Sequence, residues 1–180
     1  MTSPGSLVRA IVVFGVSGSG KSTFAKALAE RLTYDFCDAD DLHSAANIEK
    51  MRAGQPLTDE DRGPWLEAVG QRMRDTIAKG QGIVVACSAL KRSYRDLLRE
   101  YEPSAFLIFL DGTHELIKSR VLARHGGFMP SSLLSSQFAI LEPMERDEAG
   151  IRIDVSDEIS VTVQIALKAL STIAISESES

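Results

Sequence analysis

Cysteine is scarce in this sequence. There are 2 in 180 residues, Cys37 and Cys87, and neither sits in a CxxC or Cys/His spacing. That argues against a disulfide framework and a zinc-type ligand set. Each ends or follows an apolar run, so both read as small buried residues in a reduced compartment. Long apolar runs are missing too: none approaches the ~20 residues a membrane span needs. The opening Met1-Thr2-Ser3-Pro4-Gly5 lacks the basic-then-apolar pattern of a signal peptide. The expected location is the cytoplasm, with no membrane partner. A basic excess is also absent, since 20 Lys and Arg face 25 Asp and Glu for a net charge of -5. Phosphate backbones attract domains with a positive surplus, so nucleic acid is not the expected partner. A small anion stays open, because a few clustered arginines suffice for one.

What remains is an ordinary globular balance, 44% hydrophobic and 25% charged, in a length that suits one domain. The domain is expected over 1–175, with a polar acidic tail at 176–180 that reads as disordered. Strand-like runs alternate with helical patterns. Val8–Phe14 is short and β-branched, and reads as a buried parallel strand. Phe24, Leu28 and Leu32 then recur at helical spacing. Further strands are expected at Tyr34–Cys37, Ile83–Ala86, Ala105–Leu110 and Ile151–Val155. Helices are expected from Pro64, which can open one at its first position, and at Lys91–Tyr101, Thr113–Arg124, Ser131–Leu141 and Ile159–Ile173. A polar stretch at about 42–63 reads as an insert of short helices and loops, and 125–131 as a short loop. This alternation implies an α/β fold, a parallel sheet with helices on both faces.

Between the first strand and the first helix lies Gly15-Val16-Ser17-Gly18-Ser19-Gly20-Lys21-Ser22-Thr23, which satisfies GxxxxGK[ST] in the context that motif needs. Its glycines let backbone N–H groups turn inward, and the helix start adds a positive dipole end. Lys21 would place a point charge on the β- and γ-phosphates of ATP, and the Ser22 hydroxyl can hold Mg²⁺. No Asn-Lys-x-Asp tetrapeptide is present, which removes a small GTPase. A short chain with an insert after strand two and a glycine-rich segment late on suits a small-molecule kinase.

The chain resembles the gluconate kinase (gluconokinase) group, which is similar to shikimate and adenylate kinases. The resemblance rests on the phosphate loop, on Asp38-Ala39-Asp40-Asp41-Leu42-His43, on Asp61-Arg62-Gly63-Pro64-Trp65-Leu66, on Cys87-Ser88-Ala89-Leu90-Lys91, and on Phe128-Met129-Pro130 with Ser136-Gln137-Phe138 and Leu141-Glu142-Pro143. It covers nearly the whole domain. It implies a three-layer P-loop fold with a five-stranded parallel sheet in the order 2-3-1-4-5, a helical substrate-binding insert and a short lid. It also implies transfer of a phosphoryl group from ATP to gluconate, with Mg²⁺, and a homodimer. One departure stands out: Gly127 stands where the group has histidine, beside His125.

Roles follow. Asp38 and Asp40, two apart at a strand end, would point together into the crevice at the carboxyl edge of the sheet. Asp40 is assigned to the acceptor hydroxyl and Asp38 to the water shell of the metal. An acidic loop capping the next helix is the alternative, with Asp41 the better cap. Lys91 and Arg95, one turn apart at a helix start, would welcome an anion such as a carboxylate. His43, Arg52 and Arg62 are further substrate candidates, with loop or surface roles as their alternatives, while Arg92 reads as surface. By resemblance to adenylate-type kinases, Arg120 would lie against adenine and Arg124 would reach the transferring phosphates. Kinases for shikimate, dephospho-coenzyme A or a nucleoside monophosphate remain rivals. So does a non-catalytic ATP-binding regulator.

Overall fold

Five strands form one all-parallel sheet in the computed structural model, which describes residues 8–123 and 131–178. In chain order the elements are β1 (Ala10–Phe14), α1 (Lys21–Leu32), β2 (Asp35–Asp38), a 3-10 turn (Ala39–Leu42), α2 (Ala45–Arg52), α3 (Asp59–Ala78), β3 (Ile83–Ala86), α4 (Arg92–Tyr101), β4 (Phe106–Asp111), α5 (His114–Ala123), α6 (Ser131–Ile140), β5 (Gly150–Asp154) and α7 (Ile159–Ser178). The strand order is β2-β3-β1-β4-β5, as the resemblance implies. Val12 of the central strand lies beside Val85 of β3 and Leu107 of β4.

The alternation of side chains along a strand divides the core in two. Ile11 and Val13 face α1 and α7 and pack with Phe24, Leu28, Val163 and Ala166. Val12 and Phe14 face α3 and α4 and pack with Trp65, Val69, Met73 and Leu98. All five residues of β1 are buried, which is why its sequence is a continuous apolar run. Each large aliphatic sealed this way stabilises the fold by about 1.5–3 kcal/mol. The result is three layers, with the phosphate loop and the turns after β2, β3 and β5 leaving the carboxyl ends of their strands.

Three boundaries differ from the sequence reading. Pro64 does not open α3; the helix begins at Asp59 and carries the proline inside it. Thr58 explains the earlier start. Its hydroxyl accepts from Asp61 N at 3.1 Å while the Asp61 carboxylate accepts from Thr58 N at 2.9 Å, a reciprocal cap that needs no proline. The last part of the expected insert is therefore the first turn of a core helix. At the other end, α7 continues through 176–178, beyond the expected end of order. Of the expected lid, 125–130 lie outside the described residues, as do Arg124, His125 and Gly127. Cys87 is buried as expected, whereas Cys37 is only half-buried. Among the described residues no helix is long and apolar enough to cross a membrane.

Candidate active site

The loop from Gly15 to Ser22 joins β1 to α1. Gly20 caps α1 with φ 89° and no side-chain hydrogen bond, so the first amides of the helix face outward as an anion site requires. Gly18 sits at φ +82°, and a Cβ there would fall 2.5 Å from Val121 Cγ2 of α5. The loop thus lies against α5 more closely than any side chain would allow. Lys21 reaches back, its Nζ donating to Val16 O at 2.9 Å. The Ser19 hydroxyl is buried and has no hydrogen-bond partner among the described residues. Such an orphan costs about 1–3 kcal/mol, and a phosphate oxygen in the loop would relieve it. The residues present therefore fit a nucleotide phosphate.

Two carboxylates meet the loop from the end of β2, and the structure divides their work. Asp38 accepts from Ser22 Oγ at 2.6 Å and also caps the 3-10 turn by accepting from Asp40 N at 3.0 Å. Capping thus falls to Asp38 and not to Asp41. Asp40 is already inside the turn, so it departs from the extended geometry expected of the pair. It opens instead onto a hollow shared with Lys21. Its carboxylate is reached from the solvent side but crowded by protein around it. Desolvation raises its pKa above the ordinary carboxylate range, Lys21 opposes that rise, and Asp38 and Asp41 add to it. A carboxylate held this way is a better proton acceptor than a free one.

The walls of this first hollow include Ser17, His43, Arg62, Trp65, Ser88 and Gln137. Trp65 is fixed by its indole N–H, which donates to Ala39 O at 2.7 Å. His43 stacks on it with ring centroids 4.1 Å apart. Burial and then the nearby Arg62 charge lower the His43 pKa to about 4, so the ring is neutral at pH 7. Arg62, on the first turns of α3, donates to Leu57 O at 2.6 Å and to Tyr94 Oη at 3.3 Å. Its side chain borders the hollow.

The other expected substrate residues lie elsewhere. Arg95 is not a substrate ligand: its side chain is 0% exposed, as is that of its partner Glu148. Its fork donates to Glu148 at 2.6 and 2.9 Å and to the carbonyls of Ala89 and Leu90 at 3.1 and 3.3 Å. It shares the buried face of α4 with Leu98, one turn on, and so points inward. Lys91 pairs with the Asp59 carboxylate at 2.9 Å and borders a separate depression beside Arg62. Arg52 is exposed at the end of α2 and does not line the first hollow. Arg92, expected as plain surface, bonds to Asp96 on its own helix and ties α4 to Glu145 and Asp147, at 2.9–3.1 Å.

A second hollow opens on the opposite side of the loop. Gly18, Gly20 and Thr23 form one wall, and Val155, Asp157 and Thr162 another. Arg120 stands there, its guanidinium donating to Val155 O at 2.5 Å. Ser88 and Gln137 are wall residues to which the sequence assigns no role, while Trp65, which reads first as packing and second as a site wall, does both. The signal for Ser88 and Gln137 was present only as motif letters.

A parallel sheet in this order, with a phosphate loop between two hollows, defines a P-loop nucleotide-dependent kinase fold. A family model described as an AAA domain matches residues 11–141. The chain is 45% identical over 150 residues to the thermosensitive gluconokinase of Escherichia coli K12, across 83% of this chain and 80% of that one. It is 47% identical over 152 residues to the gluconokinase of Gluconobacter oxydans, across 84% and 85%. The crystal structure of a gluconokinase from Sinorhizobium meliloti superposes with a TM-score of 0.86 at 44% identity, covering 94% and 95%. The chain belongs to the gluconokinase family, within the AAA-domain P-loop proteins.

Proposed function

We propose that this protein phosphorylates D-gluconate at its terminal hydroxyl, using ATP and Mg²⁺, to give 6-phosphogluconate and ADP. The observation that carries the reading is the meeting of Lys21, Asp40 and Arg62 around one hollow beside the phosphate loop. An anionic polyol needs an arginine for its carboxylate, a base for its reacting hydroxyl, and a cation for the charge that moves. Arg62 takes the carboxylate. Asp40 accepts the proton of the terminal hydroxyl as its oxygen bonds to the γ-phosphorus and the bond to the β–γ bridging oxygen breaks. Lys21 stabilises the charge on the phosphates. Positioning supplies most of the acceleration.

Adenine and ribose of ATP would occupy the hollow at Arg120 and Thr162. Ser22 would hold Mg²⁺ together with the phosphates, with Asp38 in its water shell, and the ion would supply neutralisation of phosphate charge. Arg124 is assigned to the transferring phosphoryl on the resemblance alone. A cytoplasmic homodimer belongs to the same reading.

The test is ADP release by the purified protein with Mg-ATP and gluconate, with shikimate, dephospho-coenzyme A and AMP as parallel acceptors. Gluconate should be the acceptor turned over, and ³¹P NMR should show a new phosphomonoester. Turnover no faster with gluconate than with the other acceptors would overturn the reading. ATP binding without any turnover would favour the regulator instead.

A further inference from the structure

Gln137 enters the acceptor hollow from a part of the chain far from the phosphate loop. It lies on α6, in the last turn, where Leu141 N bonds to its backbone carbonyl at 3.0 Å. That end of the helix is pinned to the body. Glu142 N donates to Leu90 O at 2.8 Å, and the Glu142 carboxylate accepts from Arg92 N at 2.6 Å. Phe138, next in sequence, packs on the core and against His114 at 4.9 Å between centroids. Gln137 is therefore carried on a fixed mount.

Its side chain touches the loop directly. The Ser17 backbone N–H donates to Gln137 Oε1 at 2.7 Å, across 120 residues of sequence. A backbone N–H can only donate, so the carbonyl end of the amide must face the loop. The –NH₂ end, with two hydrogens, then faces away from Ser17. Both residues border the hollow that holds Lys21, Asp40 and Arg62. Those three read charge. A polyol also presents several neutral hydroxyls, and a neutral donor is needed to hold one without adding charge beside the phosphates.

We infer that Gln137 is an acceptor-binding residue whose amide nitrogen donates to a chain hydroxyl of the polyol, while its oxygen ties that position to the phosphate loop through Ser17. This rests on the acceptor hollow being the gluconate site. The bond to Ser17 sets the distance between the held hydroxyl and the loop, so the same side chain helps to aim the terminal hydroxyl.

The test compares Gln137→Met and Gln137→Glu with wild type, using gluconate KM, kcat and the affinity for a fluorescent ATP analogue. Thermal unfolding confirms that each variant folds. Loss of one hydrogen bond to a hydroxyl should raise the gluconate KM roughly tenfold in the methionine variant, with a smaller change in nucleotide affinity. The glutamate variant is the discriminating one. Its oxygens can still accept from Ser17, so a residue that only braces the loop would be rescued by it. Under the inference it fares no better than methionine, because it cannot donate and sets a negative charge against an anionic acceptor. A wild-type gluconate KM in either variant would overturn the inference while leaving the gluconate reading intact. Absence of gluconate turnover in the wild-type protein would overturn both.

Discussion

The guanidinium of Arg95 and the carboxylate of Glu148 meet at 2.6 and 2.9 Å with neither side chain touching solvent. The pair lies under the site without entering it. Arg95 also sits over the Phe14 ring, 4.6 Å from its centroid, where β1 gives way to the phosphate loop. It holds the carbonyls of Ala89 and Leu90 in the turn where Ala89 adopts φ 37°. Ser88, just before, accepts from Gly15 N at 3.3 Å and lines the acceptor hollow. Burial pushes the Glu148 carboxyl up, and the bonds from Arg95 and the Glu145 amide outweigh it, leaving its pKa below the usual range.

Breaking this pair on one side should be costly. Arg95→Met leaves Glu148 buried without its main charge partner, and denaturant unfolding should show a loss of about 3–5 kcal/mol. Adding Glu148→Leu should recover most of that loss, because two apolar groups need no partner. A double variant as unstable as the single one would mean that the carbonyl bonds, and not the charge pair, dominate.

Asp40→Asn should lower kcat by about 10²–10⁴-fold if the carboxylate takes the proton. In the wild type, kcat should fall on the acid side at a pH above the usual carboxylate range, since the Asp40 pKa is raised. The stability sign follows from the same shift. A raised pKa means that the fold favours the protonated form, so stability falls as pH climbs from the unfolded pKa through the folded one. Asn cannot ionise, so the variant should be the more stable protein at pH 7. Urea midpoints for the two proteins at pH 4 and pH 7 test this.

His43 titrates in the opposite direction. Its folded pKa, about 4, lies below the unfolded value, so its contribution is complete above the unfolded pKa. It is lost as pH falls from about 6.5 towards 4. Wild-type stability should therefore decline across that window more than in His43→Gln, read by urea titration at several pH values. Activity should show no limb attributable to this ring near pH ~6.5.

Ser22 and Asp38 should reveal themselves in metal dependence. Chelation should abolish turnover, and Ser22→Ala should raise the Mg²⁺ needed for half-maximal rate by roughly 10–100-fold. A Mg²⁺ titration at saturating ATP and gluconate measures it. An unchanged titration would remove Ser22 from the metal site.

Gly18→Ala places a methyl where Val121 Cγ2 already stands, at φ +82°. Overpacking at such a point costs about 1–3 kcal/mol, and the loop should loosen its hold on nucleotide. Pairing the change with Val121→Ala should restore part of the ATP affinity measured by titration. The remainder reports the strained φ.

Local patterns were legible in the sequence, and distant partnerships were not. The phosphate loop could be read because its glycines, lysine and serine lie in one turn. The β-branched runs likewise marked the strands. Asp38 and Asp40 were legible as a strand-end pair with separate tasks, but the 3-10 turn at Ala39, which takes Asp40 out of the extended geometry, was not. Helical spacing placed Lys91 and Arg95 one turn apart. It could not reveal that Glu148, 53 residues onward, would claim Arg95. Gln137 meets Ser17 across a longer gap still, and only the docking of α6 brings the two together. Pro64 misled because the Thr58–Asp61 cap acts upstream of it.

The phosphate loop has a hollow on each side, one bordered by Ser17 and Lys21 and the other by Gly18 and Gly20. Adjacent residues of one short loop thus look onto two rooms. A single molecule that joins adenosine to a sugar acid through a chain of phosphates would thread over that partition and fill both. It would lose rigid-body freedom once instead of twice, so its affinity should exceed that of either half by far more than their sum suggests. The partition is a template for a selective inhibitor, with the linker length set by the span across the loop.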